Sequence, residues 1–143
     1  MPNLAGTANW IRPAEDEIAQ PGHRPVYWLR REFDLSEAQA SDALQLEISA
    51  QGLYQAFVNG QRVGDQELTP GYTQYRERIQ FQTFDVSELL RPGINSIAVL
   101  LADGWFRGAC DVMRSVNQFG DRTSLIAQIS PAGKTASPIL TTD

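Results

Sequence analysis

Histidine and cysteine are almost missing from this sequence, which has one of each, His23 and Cys110, in 143 residues. A lone cysteine excludes an internal disulfide and any multi-cysteine metal site. A lone histidine cannot anchor a histidine-based metal cluster, and its setting, Gln20-Pro-Gly-His23-Arg-Pro25, reads as an exposed loop. No apolar run approaches the roughly 20 residues that a membrane-spanning helix needs. The opening Met1-Pro-Asn-Leu-Ala-Gly-Thr7 has neither the basic nor the apolar region of a signal peptide, so a cytoplasmic location and no membrane partner are expected. Positive charge is short as well: 12 Lys and Arg stand against 17 Asp and Glu, a net charge of −5. That balance disfavours nucleic acid and anionic membranes, both polyanions. The two close arginine pairs, Arg30-Arg31 and Arg76/Arg78, fit the solvent faces of strands. Glycine-rich phosphate loops, G-x-S-x-G elbows and H-E-x-x-H motifs are absent, as are internal repeats and interior linkers. The length suits one domain, residues 1–143, around one core.

What the chain does have is period-two alternation between turn residues. Leu44, Leu46, Ile48 and Ala50 share one face of a strand with polar residues between them. Tyr54–Val58 runs into Asn59-Gly60, a dipeptide suited to the two positive φ angles of a type I′ hairpin turn, and the turn alone would account for both residues. Ile79 and Phe81 resume the alternation, Ile94–Leu101 is the most apolar strand and the expected central one, and Leu125, Ala127 and Ile129 mark another. Asp85-Val-Ser-Glu88 predicts one helical turn, with Asp85 capping the Glu88 amide, Glu88 answering back and Phe84 stapling on Leu89. Ser36-Glu-Ala-Gln39 has capping-box spacing but room for only one turn or a loop. Trp10 and Trp28 are assigned to the core on the burial habits of large aromatics. Short strands and no long amphipathic helix predict an all-β sandwich or barrel.

Four segments carry a family resemblance: Phe57-Val-Asn-Gly-Gln-Arg-Val-Gly64, Leu68-Thr-Pro-Gly-Tyr72-Thr-Gln-Tyr75, Phe84-Asp-Val-Ser-Glu-Leu-Leu-Arg-Pro-Gly-Ile-Asn95 and Asp103-Gly-Trp-Phe-Arg-Gly108. Together with Ala8–Ile11, Leu29–Phe33 and Leu125–Ile129, they resemble the N-terminal domain of bacterial α-L-rhamnosidases, glycoside hydrolase family 78. The first half alone is also similar to the sugar-binding domains of β-galactosidase-type enzymes; the Pro70–Thr73 and Gly104–Gly108 segments favour the rhamnosidases. The resemblance implies a jelly-roll β-sandwich of the galactose-binding type with no catalytic residues of its own. The catalytic acid and base would lie in a separate helical barrel of a larger enzyme. It implies two roles: recognition of an L-rhamnose-containing carbohydrate, with calcium in some relatives, or structural docking on the catalytic domain. Ala109–Arg114 departs from the glycine-rich run expected of the family.

Trp105 is the first candidate for sugar contact, because an indole face packs on the C–H face of a sugar ring. Asp103, Arg107 and Asp111 lie near it in sequence, and a carboxylate–guanidinium set suits diol recognition. Tyr72 is a second aromatic candidate. Against these stands the reading in which Trp105 plugs the end of the sandwich and Arg107 pairs with Asp103. Asp and Asn side chains with loop carbonyls could form a calcium site, although no D-x-D-x-D spacing marks one; no other cofactor is expected. The apolar Ile139-Leu140 pair near the end predicts exposed apolar surface or an unpaired strand edge there, with self-association through strand addition or a crystal dimer.

Overall fold

The computed structural model describes residues 8–15, 17–110, 112–133 and 137–143. Its elements are β1 (Tyr27–Leu35), α1 (Glu37–Ala40), β2 (Leu44–Gln51), β3 (Leu53–Val58), β4 (Gln61–Arg62), β5 (Gln82–Asp85), a 3-10 turn (Ser87–Leu89), β6 (Gly93–Ala102), α2 (Gly104–Arg107), β7 (Ser124–Pro131) and β8 (Leu140–Thr141). Two antiparallel sheets form, in the orders β1-β6-β3-β4 and β5-β2-β7-β8. This is the expected β-sandwich of the jelly-roll type. Among the described residues, no helix is long and apolar enough to cross a membrane.

The core is built from the alternation. Leu44, Leu46, Ile48 and Ala50 of β2 meet Tyr54, Ala56 and Val58 of β3, Ile97, Val99 and Leu101 of β6, and Leu125, Ala127 and Ile129 of β7. Burying these aliphatic side chains drives the two sheets together. β6 is central in its sheet, as its composition predicts. β2 differs from a half-buried strand: Glu47 and Ser49 on its other face are buried too, held by a Gln128 amide donating to Glu47 and by the Ser49 hydroxyl donating to the Gln80 carbonyl.

Several local expectations need correction. Trp10 and Trp28 are exposed by 41% and 55%. Trp28 stands on the outer face of β1, where it tilts against Phe57 at 5.9 Å, because Leu29, Phe33 and Leu35 take the inner positions of that strand. Asp85 does not cap Glu88; it accepts from the Ser87 amide at 3.0 Å and the Ser87 hydroxyl at 2.6 Å. Those bonds hold its carboxyl below the usual carboxylate range, the hydroxyl contributing most. α1 is the single turn expected, with a complete Ser36/Gln39 capping box. Ile139 and Leu140 are not exposed: Leu140 is buried in the core, and β8 pairs with β7. Beyond β8, the Asn9 amide donates to the Thr142 carbonyl at 2.8 Å.

Asn59 does more than shape its turn. Its φ of +50° and the +82° of Gly60 fit the type I′ hairpin. In addition, Asn59 Nδ2 donates to the Leu89 carbonyl and to Asn95 Oδ1, both at 2.8 Å, and its Oδ1 accepts from the Ser96 amide at 2.9 Å. Asn95 is buried and donates in turn to the Arg91 and Gly93 carbonyls. Asn59→Ala is therefore expected to cost about 2–4 kcal/mol in urea unfolding, through orphaned partners and a strained φ. Gln61→Ala, just past the turn and exposed, should stay within about 0.5 kcal/mol. Equal, small losses would mean that the turn alone explains the asparagine.

Candidate functional site

At one end of the sandwich, the loop between β4 and β5 meets the loops on either side of α2. α2 packs on the β2–β3 connection without clearance. Gly104 has φ +51°, and a Cβ there would lie 2.6 Å from Leu53 Cγ and 3.1 Å from the Leu53 backbone nitrogen. Only glycine fits both constraints. The turn is also tied to the segment after it: the Asn117 amide donates to the Arg107 carbonyl at 3.0 Å, and the Phe119 amide to the Phe106 carbonyl at 3.2 Å.

α2 divides its side chains between two environments. Phe106 turns inward, where it meets Tyr75 edge-on at 5.2 Å and Phe119 at 6.5 Å. Burial pushes the Tyr75 hydroxyl above its ordinary value, with smaller contributions from Tyr72 and Cys110. Trp105 is half-buried at the outer side of this cluster, edge-on to Tyr72 at 6.0 Å. Tyr72 is 59% exposed. Its loop is anchored from below, where the Thr69 hydroxyl donates to the Tyr54 carbonyl at 2.7 Å and the Tyr75 hydroxyl to the Gly71 carbonyl at 3.1 Å. Trp105 is thus neither a complete plug nor a free platform; it is one wall of an aromatic cluster whose outermost ring is Tyr72.

Arg107 is fully buried. Both of its terminal nitrogens donate to Glu15, with NH1 at 3.0 Å from each carboxylate oxygen. Its Nε lies 2.8 Å from Asp103 Oδ1, out of line with the N–H, so that contact is Coulombic rather than a directed hydrogen bond. Tyr27 completes the set, donating its hydroxyl to Glu15 while its ring sits 5.9 Å from the guanidinium. Asp103 also faces Arg24 at 3.3 Å, and Arg24 reaches the Arg107 carbonyl at 2.9 Å and Asn117 Oδ1 at 2.9 Å. Two cations and two carboxylates are therefore balanced under the turn. Arg107 and Asp103 are both engaged within this cluster. Beside them a cleft of about 570 Å³ of mixed character is lined by Arg24, Asp103 and Arg114 together with Pro25, Val26 and Val116.

Of the five residues singled out from sequence, the structure brings Trp105 and Tyr72 into contact and joins Asp103 to Arg107; Asp111 lies outside the described residues. The ties of Glu15 and Arg24 to this pair escape sequence reasoning, for neither residue sits in a motif, and they reach Arg107 and Asp103 across 92 and 79 positions. Among the described residues, no group of three His, Cys, Asp or Glu is placed to hold a metal ion.

Comparison with known proteins gives a consistent result. Residues 39–143 match the family model described as the α-L-rhamnosidase N-terminal domain. An α-L-rhamnosidase of Streptomyces avermitilis is 46% identical over 101 residues, 71% of this chain and 10% of that protein. One from Formosa agariphila is 36% identical over 115 residues, 80% of this chain and 12% of that protein. Among solved structures, native α-L-rhamnosidase from Aspergillus terreus superposes with a TM-score of 0.80 at 30% identity, over 99% of this chain and 16% of that one. The Streptomyces avermitilis enzyme complexed with L-rhamnose gives 0.71 at 39% identity, over 81% of this chain and 11% of that one. The chain thus spans about a tenth of the length of the curated relatives it matches.

Proposed function

Because this chain belongs to the α-L-rhamnosidase N-terminal domain family, we propose that it is the non-catalytic recognition module of such an enzyme, binding an L-rhamnose-containing carbohydrate beside Tyr72 and Trp105. The observation that carries this reading is an exposed tyrosine set edge-on to a half-buried tryptophan over a packed aromatic base. That arrangement offers ring surface to a sugar without first having to order the loops. The hydrolytic step belongs to a catalytic domain elsewhere in the parent protein, which is also its packing partner. Here Glu15 is committed to Arg107, and Asp103 to Arg107 and Arg24, which leaves neither carboxylate free for general acid–base work. The competing reading, a purely structural domain, draws on the same pairing, since those charges hold the turn rather than wait for a ligand.

Calorimetric titration of the 143-residue chain with L-rhamnose, with and without calcium, separates the two. Saturable heat is expected, weakened roughly tenfold or more by Trp105→Ala while the fold persists. The same protein should leave an aryl α-L-rhamnoside uncleaved. A calcium requirement would bring the Ala109–Arg114 loop into the site. No heat under either condition would establish the structural role instead.

A further inference from the structure

β1 is an edge strand of its sheet. It bonds to β6 on one side, and no backbone bond among the described residues engages its other side. Between β1 and β8 an apolar cleft of about 230 Å³ opens toward the core, with Leu29, Ile97, Val99, Leu125 and Leu140 among its walls. Arg31, opposite Ile97 on the inner face, crosses the mouth and donates to the Thr141 carbonyl at 3.0 Å and to the Asp143 carboxylate. An edge of this length beside an apolar cleft invites a further strand.

The sequence of β1, Tyr-Trp-Leu-Arg-Arg-Glu-Phe-Asp-Leu, specifies which strand fits. Turned antiparallel to itself about Arg31, it sets Arg30 opposite Glu32 and Glu32 opposite Arg30. On the inner face the same register sets Leu29 opposite Phe33 and Tyr27 opposite Leu35. Arg30 and Glu32 are each more than half exposed, and within one chain they already bridge at 2.5 Å. Pairing with a second copy therefore gains two opposite-charge cross-strand pairs on the outer face, and on the inner face it brings Leu29, a wall of the cleft, opposite the half-buried Phe33. The one like-charge meeting, Arg31 with its counterpart, is offset because each is neutralised by its own Asp143. We propose that β1 is a self-complementary docking edge: two copies of this chain join β1 to β1 about a two-fold axis at Arg31, making one continuous eight-stranded sheet.

The test is sedimentation equilibrium of the 143-residue chain over a wide concentration range, with charge-swapped variants at these two exposed positions. The wild-type chain should show a reversible monomer–dimer equilibrium. Arg30→Glu and Glu32→Arg, each setting like charges opposite one another twice per dimer, should each weaken it by roughly tenfold. The double variant R30E/E32R, which restores opposite charges in the same register, should regain most of the wild-type association. A chain that stays monomeric throughout overturns the proposal. So does a dimer indifferent to both single swaps, or one that the double swap leaves broken.

Discussion

Replacing Arg107 with methionine should lower the unfolding free energy by about 3–5 kcal/mol, the usual consequence of removing one partner from a buried ion pair. The side chain is fully buried, and Glu15 beneath it is only 6% exposed. Without the guanidinium, the Glu15 carboxylate keeps the Tyr27 hydroxyl but loses its buried counter-ion. Asp103 suffers less, since Arg24 remains at 3.3 Å. Two further variants identify the cause. Glu15→Gln combined with R107M should destabilise by less than the two single changes added together, because the pair is removed as a unit. Arg107→Lys should recover only part of the loss, since an ammonium cannot offer the forked geometry that meets both Glu15 oxygens. By contrast, Arg30→Ala, which breaks an exposed pair, should cost at most about 1 kcal/mol. Urea unfolding of these variants beside the wild-type chain is sufficient. A loss below about 1 kcal/mol for R107M would show that the charge cluster does not hold the turn.

Gly104→Ala should be nearly as damaging, at about 3 kcal/mol, and should also weaken sugar binding. An alanine there adopts the left-handed region at a cost of about 1–2 kcal/mol. Its Cβ also meets Leu53 at 2.6 Å to the side chain and 3.1 Å to the backbone nitrogen, so relief requires the turn to move away from the β2–β3 connection. Trp105 moves with it. Gly60→Ala separates the two effects: φ is positive there as well, but nothing lies within 4 Å of the added carbon, so only the conformational cost should appear. Equal losses at the two glycines, with sugar binding intact, would mean that close packing of α2 does not position the tryptophan.

The strands are legible in the sequence because burial imposes a period of two, and β2, β3, β6 and β7 all appear where the alternation places them. Asn59-Gly60 is legible as a turn, but not as the donor set that joins the hairpin to Leu89 and Asn95, since those partners are supplied by tertiary packing. At Trp28, residue type points to the core and strand position points outward, and position is the better guide. Leu29, Phe33 and Leu35 occupy the opposite face of the same strand, which turns residue 28 to solvent. At the site, the pairing of Asp103 with Arg107 can be expected from their i,i+4 spacing within a single turn. Glu15 and Arg24 cannot, because they come from a segment without periodicity that reaches the turn only once the sandwich has closed. Their presence is also what buries the Arg107 guanidinium in a network of charges.

The proposed docking of a carbohydrate beside Tyr72 and Trp105 is open to amide chemical-shift mapping. On titration of the labelled 143-residue chain with L-rhamnose, saturable shifts should concentrate in residues 70–76 and 103–120, together with the Trp105 indole N–H, while β1 and the β7–β8 edge stay in place. Shifts confined to other surfaces, or none at millimolar sugar with calcium present, would contradict the assignment and leave the domain a structural part of its parent.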